Sequence, residues 1–256
     1  MSNWEILQKQ IAEKAALNPK ESIFSNDIKK HKKKVTNGIL NRSKNIKKKE
    51  TKSVEIVKKE KIKTINGVEI SNEGGFGEPE EITEKIGLDC EFVGVGHLGE
   101  EDMLARVSIV NYHGKTIYDK YIKPSQKVID YRTKFSGIQP SSLTMGTSFI
   151  EVQKEVEAFI KDKIVIGHSL GSDFGVLKLK HPKHLIRDTA KYKGFLDQNS
   201  SKTPSLKLLS QKILNLSIQE DTHDSALDAY YAMEIYKTKE KEFDRWINKN
   251  IKNKKK

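Results

Sequence analysis

Apolar residues are sparse and isolated in the first part of the chain and become regular from about residue 85 onward. IGLDCEFVGVG (Ile86–Gly96) and MLARVSIVNYHG (Met103–Gly114) are rich in β-branched and aromatic residues and read as strands. TIYDKYIKP (Thr116–Pro124) follows a turn at His113–Lys115 closely enough to pair antiparallel with the strand before it. Between Ser148 and Asp162, Phe149, Val152, Val156, Phe159 and Ile160 recur at helical spacing. IVIG (Ile164–Gly167) and HLIRDT (His184–Thr189) read as short strands, with a helix over Ser172–Leu179 between them. Two helices close the pattern, one over Ser205–Leu214 and a longer one from about Thr222 to beyond Tyr236. Three early strands, then strands alternating with helices, predict an α/β domain over 85–240 on a mixed five-stranded sheet flanked by helices.

Outside that domain the pattern is polar. Trp4, Leu7, Ile11 and Leu17 allow a short amphipathic helix, and Gly74, Gly75, Gly77 and Pro79 mark a loop over 72–84 that leads into the fold. The net charge of +12 is concentrated: residues 29–63 hold fifteen basic and three acidic side chains, and residues 237–256 hold nine and three. Residues 64–236 are mildly acidic, with twenty basic and twenty-five acidic side chains. Residues 1–72 therefore read as a basic, largely disordered extension, too poor in apolar residues to offset chain entropy, and 241–256 as a basic tail. An acidic body with basic arms points to a polyanion partner. KKHKKK (Lys29–Lys34) and KKK (Lys47–Lys49) fit a nuclear or nucleolar address or a non-specific nucleic-acid tail, and the two are compatible. No apolar run is long enough to span a bilayer and the first residues lack a signal core, so the chain reads as soluble and intracellular, with no membrane partner. Cys90 is the single cysteine and reads as a small buried apolar residue, with no zinc cluster around it.

Candidate chemistry begins with Asp89 and Glu91, two apart on the first strand. Alternation puts both carboxylates on one face, while Leu88, Cys90 and Phe92 share the other and can pack into a core. Two acids so placed repel unless a proton or a metal lies between them. Asp-x-Glu alone arises about once by chance in a chain this long. Asp173 strengthens the case: it follows the strand IVIG through the turn of GHSLGSD and falls in the first turn of a helix, at the kind of sheet edge where sites are built. The competing reading is a helix N-cap. His168, directly after the strand, reads as a turn-stabilising residue. Asp228 lies among Ala226, Leu227, Ala229 and Ala232, small side chains that let its helix approach the sheet, and a buried carboxylate there needs a cation or a hydrogen-bond partner. His223 stands at the start of that helix, free to lean over the same place. Four carboxylates without a cysteine favour a hard cation, magnesium or manganese, and two ions about 4 Å apart would clamp a scissile phosphate. A histidine titrating near neutrality suits a general base for the attacking water.

Asp-x-Glu, GH-x4-D and H-x4-D in this order resemble the three motifs of the DEDDh 3′–5′ exonuclease superfamily. LDCEFVGVG, MLARVSIVN, DYRTKFSGI, IGHSLGSDFGVL, LIRDTAKY and SLKLLSQKIL look like the RNA exonuclease 4 family within it. The resemblance covers about Lys85–Tyr236 and implies an RNase H-like fold. It also implies a two-metal exoribonuclease that releases nucleoside 5′-monophosphates from a single-stranded RNA 3′ end. The setting implied is ribosomal RNA processing, with precursor ribosomal RNA and pre-ribosomal particles as partners in the nucleus or nucleolus. By the same resemblance Asp89 bridges two Mg2+ or Mn2+ ions, Glu91 and Asp228 complete one site, Asp173 holds the second, and His223 is the general base. Phe92 departs from the methionine frequent at its position. Two other functions stay open on the motifs: a DNA exonuclease of proofreading or repair type, since the chemistry never needs a 2′-hydroxyl, and a pre-ribosomal assembly factor whose arms matter more than its site.

Overall fold

A computed structural model describes residues 82–196, 203–220 and 222–253, and the backbone of 63–65 and 68–70. The expected helix over 1–17 and most of the expected basic extension lie outside the described residues. Within that extension Lys63–Ile65 (β1) and Val68–Ile70 (β2) pair antiparallel, with Lys63 opposite Ile70. The intervening sequence is Asn66-Gly67, the pair that most favours a two-residue hairpin, so this element was legible and the lysine-dominated composition hid it.

Five strands follow: β3 (Lys85–Val95), β4 (Glu101–Asn111), β5 (Thr116–Tyr121), β6 (Ile164–Gly167) and β7 (Ile186–Asp188). They form one mixed sheet in the order β5-β4-β3-β6-β7, antiparallel on the β4–β5 side and parallel on the β6–β7 side. Helices α1 (Thr133–Ser136), α2 (Pro140–Thr144), α3 (Phe149–Ile160), α4 (Gly171–Leu177), α5 (Leu206–Leu209), α6 (Ser225–Thr238) and α7 (Glu240–Asn253) flank it. The expected helix over Ser205–Leu214 is α5 continued by a π-helical turn, Ser210–Leu214.

Two apolar layers cover the sheet. On one face Leu88 and Cys90 pack with Val152, Val156 and Phe159 of α3 and Leu177 of α4. On the other, α6 approaches very closely: a methyl added at Gly87 would lie 2.8 Å from the Ala229 carbonyl oxygen and 2.7 Å from Val110. Glycine on the strand and alanine on the helix thus fix a separation that larger side chains would not permit. A register shift between Glu91 and Phe92 leaves Ala105 of β4 as an extra residue, a bulge of the kind that re-aims side chains near sites. Beyond it Val93 and Ala105 pack with Ile138 and Leu143, which brings the α1–α2 segment over the acidic face.

The basic tail expected from residue 241 is corrected to a helix. In α7, Phe243 is fully buried, its ring stacked on Tyr192 at 4.1 Å, with Trp246 edge-on to Tyr192 at 5.5 Å. Asp244 accepts hydrogen bonds from Arg187 (2.6 Å) and from the Tyr236 hydroxyl (3.0 Å), and Lys85 pairs with Glu240. Phe243, Trp246 and Ile247 form an i, i+3, i+4 stripe that the many lysines masked. No helix among the described residues is long and apolar enough to cross a membrane.

Candidate active site

The pleat of β3 sends Asp89 and Glu91 to the face on which α6 lies, and the tight Gly87–Ala229 contact carries Asp228, one residue earlier on α6, up to them. Asp89, Glu91 and Asp228 each offer a carboxylate oxygen, and these oxygens lie within 4.8 Å of one another. Glu91 and Asp228 are buried, Asp89 partly so. Asp224 caps α6, accepting from the backbone N–H groups of Ala226 (3.0 Å) and Leu227 (3.2 Å), so the helix starts where Asp228 occupies its first turn.

Asp173 is also buried, at 3% exposure, but it belongs to α4 and not to the three-oxygen group. It is not the helix cap, a position held by Leu170. The backbone N–H and the thiol of Cys90 donate to it, so Cys90 has a polar role beside its expected apolar one.

The electrostatics follow from four acids with little water around them. Burial, then Asp173, Asp228 and Glu91, raises the Asp89 carboxyl well above its usual range. Burial, then Asp228, pushes Glu91 up to about 9, against the opposing pull of Arg106. Burial lifts Asp173 to about 7. The Asp89 and Glu91 carboxyls hold protons at neutral pH unless a cation takes their place. A buried all-oxygen set of this kind fits a hard divalent ion, whose binding would displace the protons.

His223 lies just before α6, its ring 40% exposed and its Nδ1 3.4 Å from Asp228 Oδ2. Its backbone N–H donates to the Phe135 carbonyl at 2.7 Å, which ties the histidine to α1. His168 makes the expected structural contact, Nδ1 to Thr189 Oγ1 at 2.9 Å.

The structure adds residues that sequence reasoning missed. Gln219 Nε2 donates to Asp228 Oδ2 at 2.8 Å and lies 3.3 Å from His223 Nδ1. Nothing in the polar stretch before His223 marks it out. Arg106 sits across from Glu91 in the β3–β4 ladder, forks onto Asp119 at 2.8 and 2.7 Å, and reaches Asp224 at 3.3 Å. A lone charge inside the apolar run of β4 was its available signal.

The exonuclease family model, RNase T type, matches residues 86–236. The chain belongs to this exonuclease family. It is 53% identical to human RNA exonuclease 4 over 163 residues, 64% of this chain and 39% of that protein. It is 44% identical to RNA exonuclease 4 of Debaryomyces hansenii over 162 residues, 63% and 60% of the two chains. The chain thus matches less than two thirds of the length of these curated relatives. Among solved structures, the exonuclease domain is similar to the Neurospora crassa Pan2 catalytic unit (protease and nuclease domain), with a TM-score of 0.56 and 26% identity over 75% of this chain and 32% of that one. It is also similar to the Saccharomyces cerevisiae Pan2 UCH-Exo module in complex with AAGGAA RNA, with a TM-score of 0.56 and 29% identity over 66% and 31%. The mixed five-stranded sheet is that of the RNase H-like exonucleases.

Proposed function

We propose that the exonuclease domain shortens RNA from its 3′ end and releases nucleoside 5′-monophosphates, with Asp89, Glu91, Asp173 and Asp228 holding two magnesium or manganese ions. The observation that carries this reading is the convergence of three carboxylate oxygens within 4.8 Å, from a strand and a helix, beside a half-exposed histidine. When bound, the ions supply charge to polarise the scissile phosphate and to lower the pKa of the attacking water. The chain itself supplies proton transfer and orientation. His223, whose ring reaches Asp228 Oδ2, would take the proton of the attacking water. The hydrogen bond from His223 N–H to Phe135 O keeps the ring over the site, and Gln219 restrains the Asp228 carboxylate. RNA as the polymer is supported by the names of the curated relatives and by the RNA held in the yeast Pan2 structure.

We place this activity in ribosomal RNA processing in the nucleus, a setting supported by the sequence resemblance and by the lysine-rich segment over 29–63. Its test is ribosomal RNA maturation in cells whose chain has Asp89 and Glu91 replaced: loss supports a catalytic role there, retention an assembly role. The direct experiment follows 5′-labelled single-stranded RNA and matched DNA over time in magnesium and in chelator, beside Asp228→Asn. Stepwise shortening of RNA that needs magnesium and Asp228 is expected. Hydrolysis that persists in chelator would overturn the metal mechanism, and faster loss of DNA would turn the reading to a DNA exonuclease.

A further inference from the structure

The strand beside the carboxylates carries a polar pair of its own. In the β3–β4 ladder Arg106 lies opposite Glu91 and Ser108 opposite Asp89, and cross-strand partners share a face of the sheet. Arg106 and Ser108 therefore stand next to the two acids, on the face that α6 covers. Asp119 of β5, which pairs with Ser108, extends the same row.

This row is tied to α6 at two consecutive residues. The Arg106 side chain, only 12% exposed, gives Nε and Nη2 to the Asp119 carboxylate and turns Nη1 to Asp224 Oδ2 at 3.3 Å. The fork on Asp119 already neutralises the buried charge, so the third nitrogen makes a separate attachment. Asp224 Oδ1 accepts from the Ala226 and Leu227 N–H groups, so one carboxylate holds both the arginine and the first turn of the helix. Ser108 Oγ donates to Asp119 at 3.0 Å and so accepts from the Ser225 hydroxyl at 2.6 Å, both serines being fully buried.

The Gly87–Ala229 contact sets how close α6 comes, but a helix resting on small residues can still slide or turn about its axis. Ties at Asp224 and Ser225 remove both motions. His223 directly precedes the first tie, and Asp228 lies less than one helical turn beyond the second.

We propose that Arg106 is a positioning residue of the reaction: through Asp224 it fixes where α6 starts, and with it where His223 and Asp228 stand relative to Asp89 and Glu91. The proposal rests on the exonuclease reading above. In this role Arg106 touches neither RNA nor metal.

The test uses the full chain with Arg106→Gln, Asp224→Asn and the double variant. Asparagine caps a helix about as well as aspartate, so Asp224→Asn removes the charged partner of Arg106 and keeps the cap. Measured are kcat and KM on single-stranded RNA with magnesium, the melting temperature, and, without metal, hydrogen exchange of the Ala226 and Leu227 amides. Each single variant should lower kcat by about ten- to a hundredfold, the scale of a displacement near 1 Å, with little change in KM. The double variant should be no worse than the more impaired single, because both act through one contact. In Arg106→Gln the two amides should exchange faster. A loss carried by KM would mean that Arg106 touches the RNA, and opposite effects of the two single variants would mean that it acts as a charge on Glu91. A lowered melting temperature with kcat intact would make it a structural residue only. Each of these overturns the proposal, as do losses that multiply in the double variant. Should Arg106→Gln fail to fold, Asp224→Asn alone carries the comparison. A wild-type chain that does not cleave RNA would remove the exonuclease reading instead, and the exchange measurement would still decide whether Arg106 holds the start of α6.

Discussion

Glu91, lifted to about 9 by burial and by Asp228, holds a proton in the metal-free fold that the unfolded chain releases near pH 4–5. Asp89 is shifted in the same direction. The folded state therefore binds more protons than the unfolded state between about pH 4.5 and pH 9. By linkage, its stability falls as pH rises through that window. The melting temperature of the chelated protein should decline from pH 5 to pH 9, and less steeply in Glu91→Gln. Magnesium should restore it most at the alkaline end. A flat metal-free profile would contradict the assignment. For His223→Ala, single-turnover cleavage should slow by roughly 10²–10⁴-fold, the usual worth of one proton-transfer group. Its melting temperature should barely change, because the ring is 40% exposed and the hydrogen bond to Phe135 uses the backbone. A destabilised but nearly fully active variant would make His223 a structural residue.

Elements were legible where a single period rules. The alternation in Ile86–Gly96 predicts both β3 and the shared face of Asp89 and Glu91, and the small residues around Asp228 predict how near α6 comes. Where two signals overlap, composition misleads. In α7 the stripe of Phe243, Trp246 and Ile247 is interleaved with lysines, and in Thr64–Ile70 the Asn-Gly turn is preceded by a run of them. Gln219 was invisible for another reason. Its contacts to Asp228 and His223 arise from a loop whose path no periodicity describes, with φ of 53° at Gln219 itself. The contact between β3 and α6 offers a test at this scale. Gly87→Ala should cost about 1–3 kcal/mol by overpacking against Ala229 and Val110. It should also lower activity more than stability alone explains, since it moves Asp228 away from Asp89. Chemical denaturation read beside kcat measures both, and a fully active, fully stable variant would show that the helix has room to spare.

For the whole molecule, positive charge is concentrated in lysine-rich segments, fifteen basic side chains lying in residues 29–63, while residues 64–236 hold twenty basic against twenty-five acidic. Deleting residues 1–62 removes none of the site carboxylates and should leave cleavage of short RNA intact. It should flatten the dependence of RNA affinity on salt, by about 0.7 in logarithmic slope for each phosphate that the segment had neutralised. An unchanged slope would assign the segment to targeting. The division of the site along the chain has a consequence in time. Asp89 stands on the first strand of the sheet and Asp228 on the penultimate helix, so their meeting closes nearly the whole domain sequence into one loop. Contacts that distant form late, because loop-closure entropy must first be overcome. During synthesis β3 emerges with half of an acidic cluster and waits for α6. On the proposed activity, the chain would be unable to cleave RNA until almost its last described helix had been made, a delay written into the order of its elements.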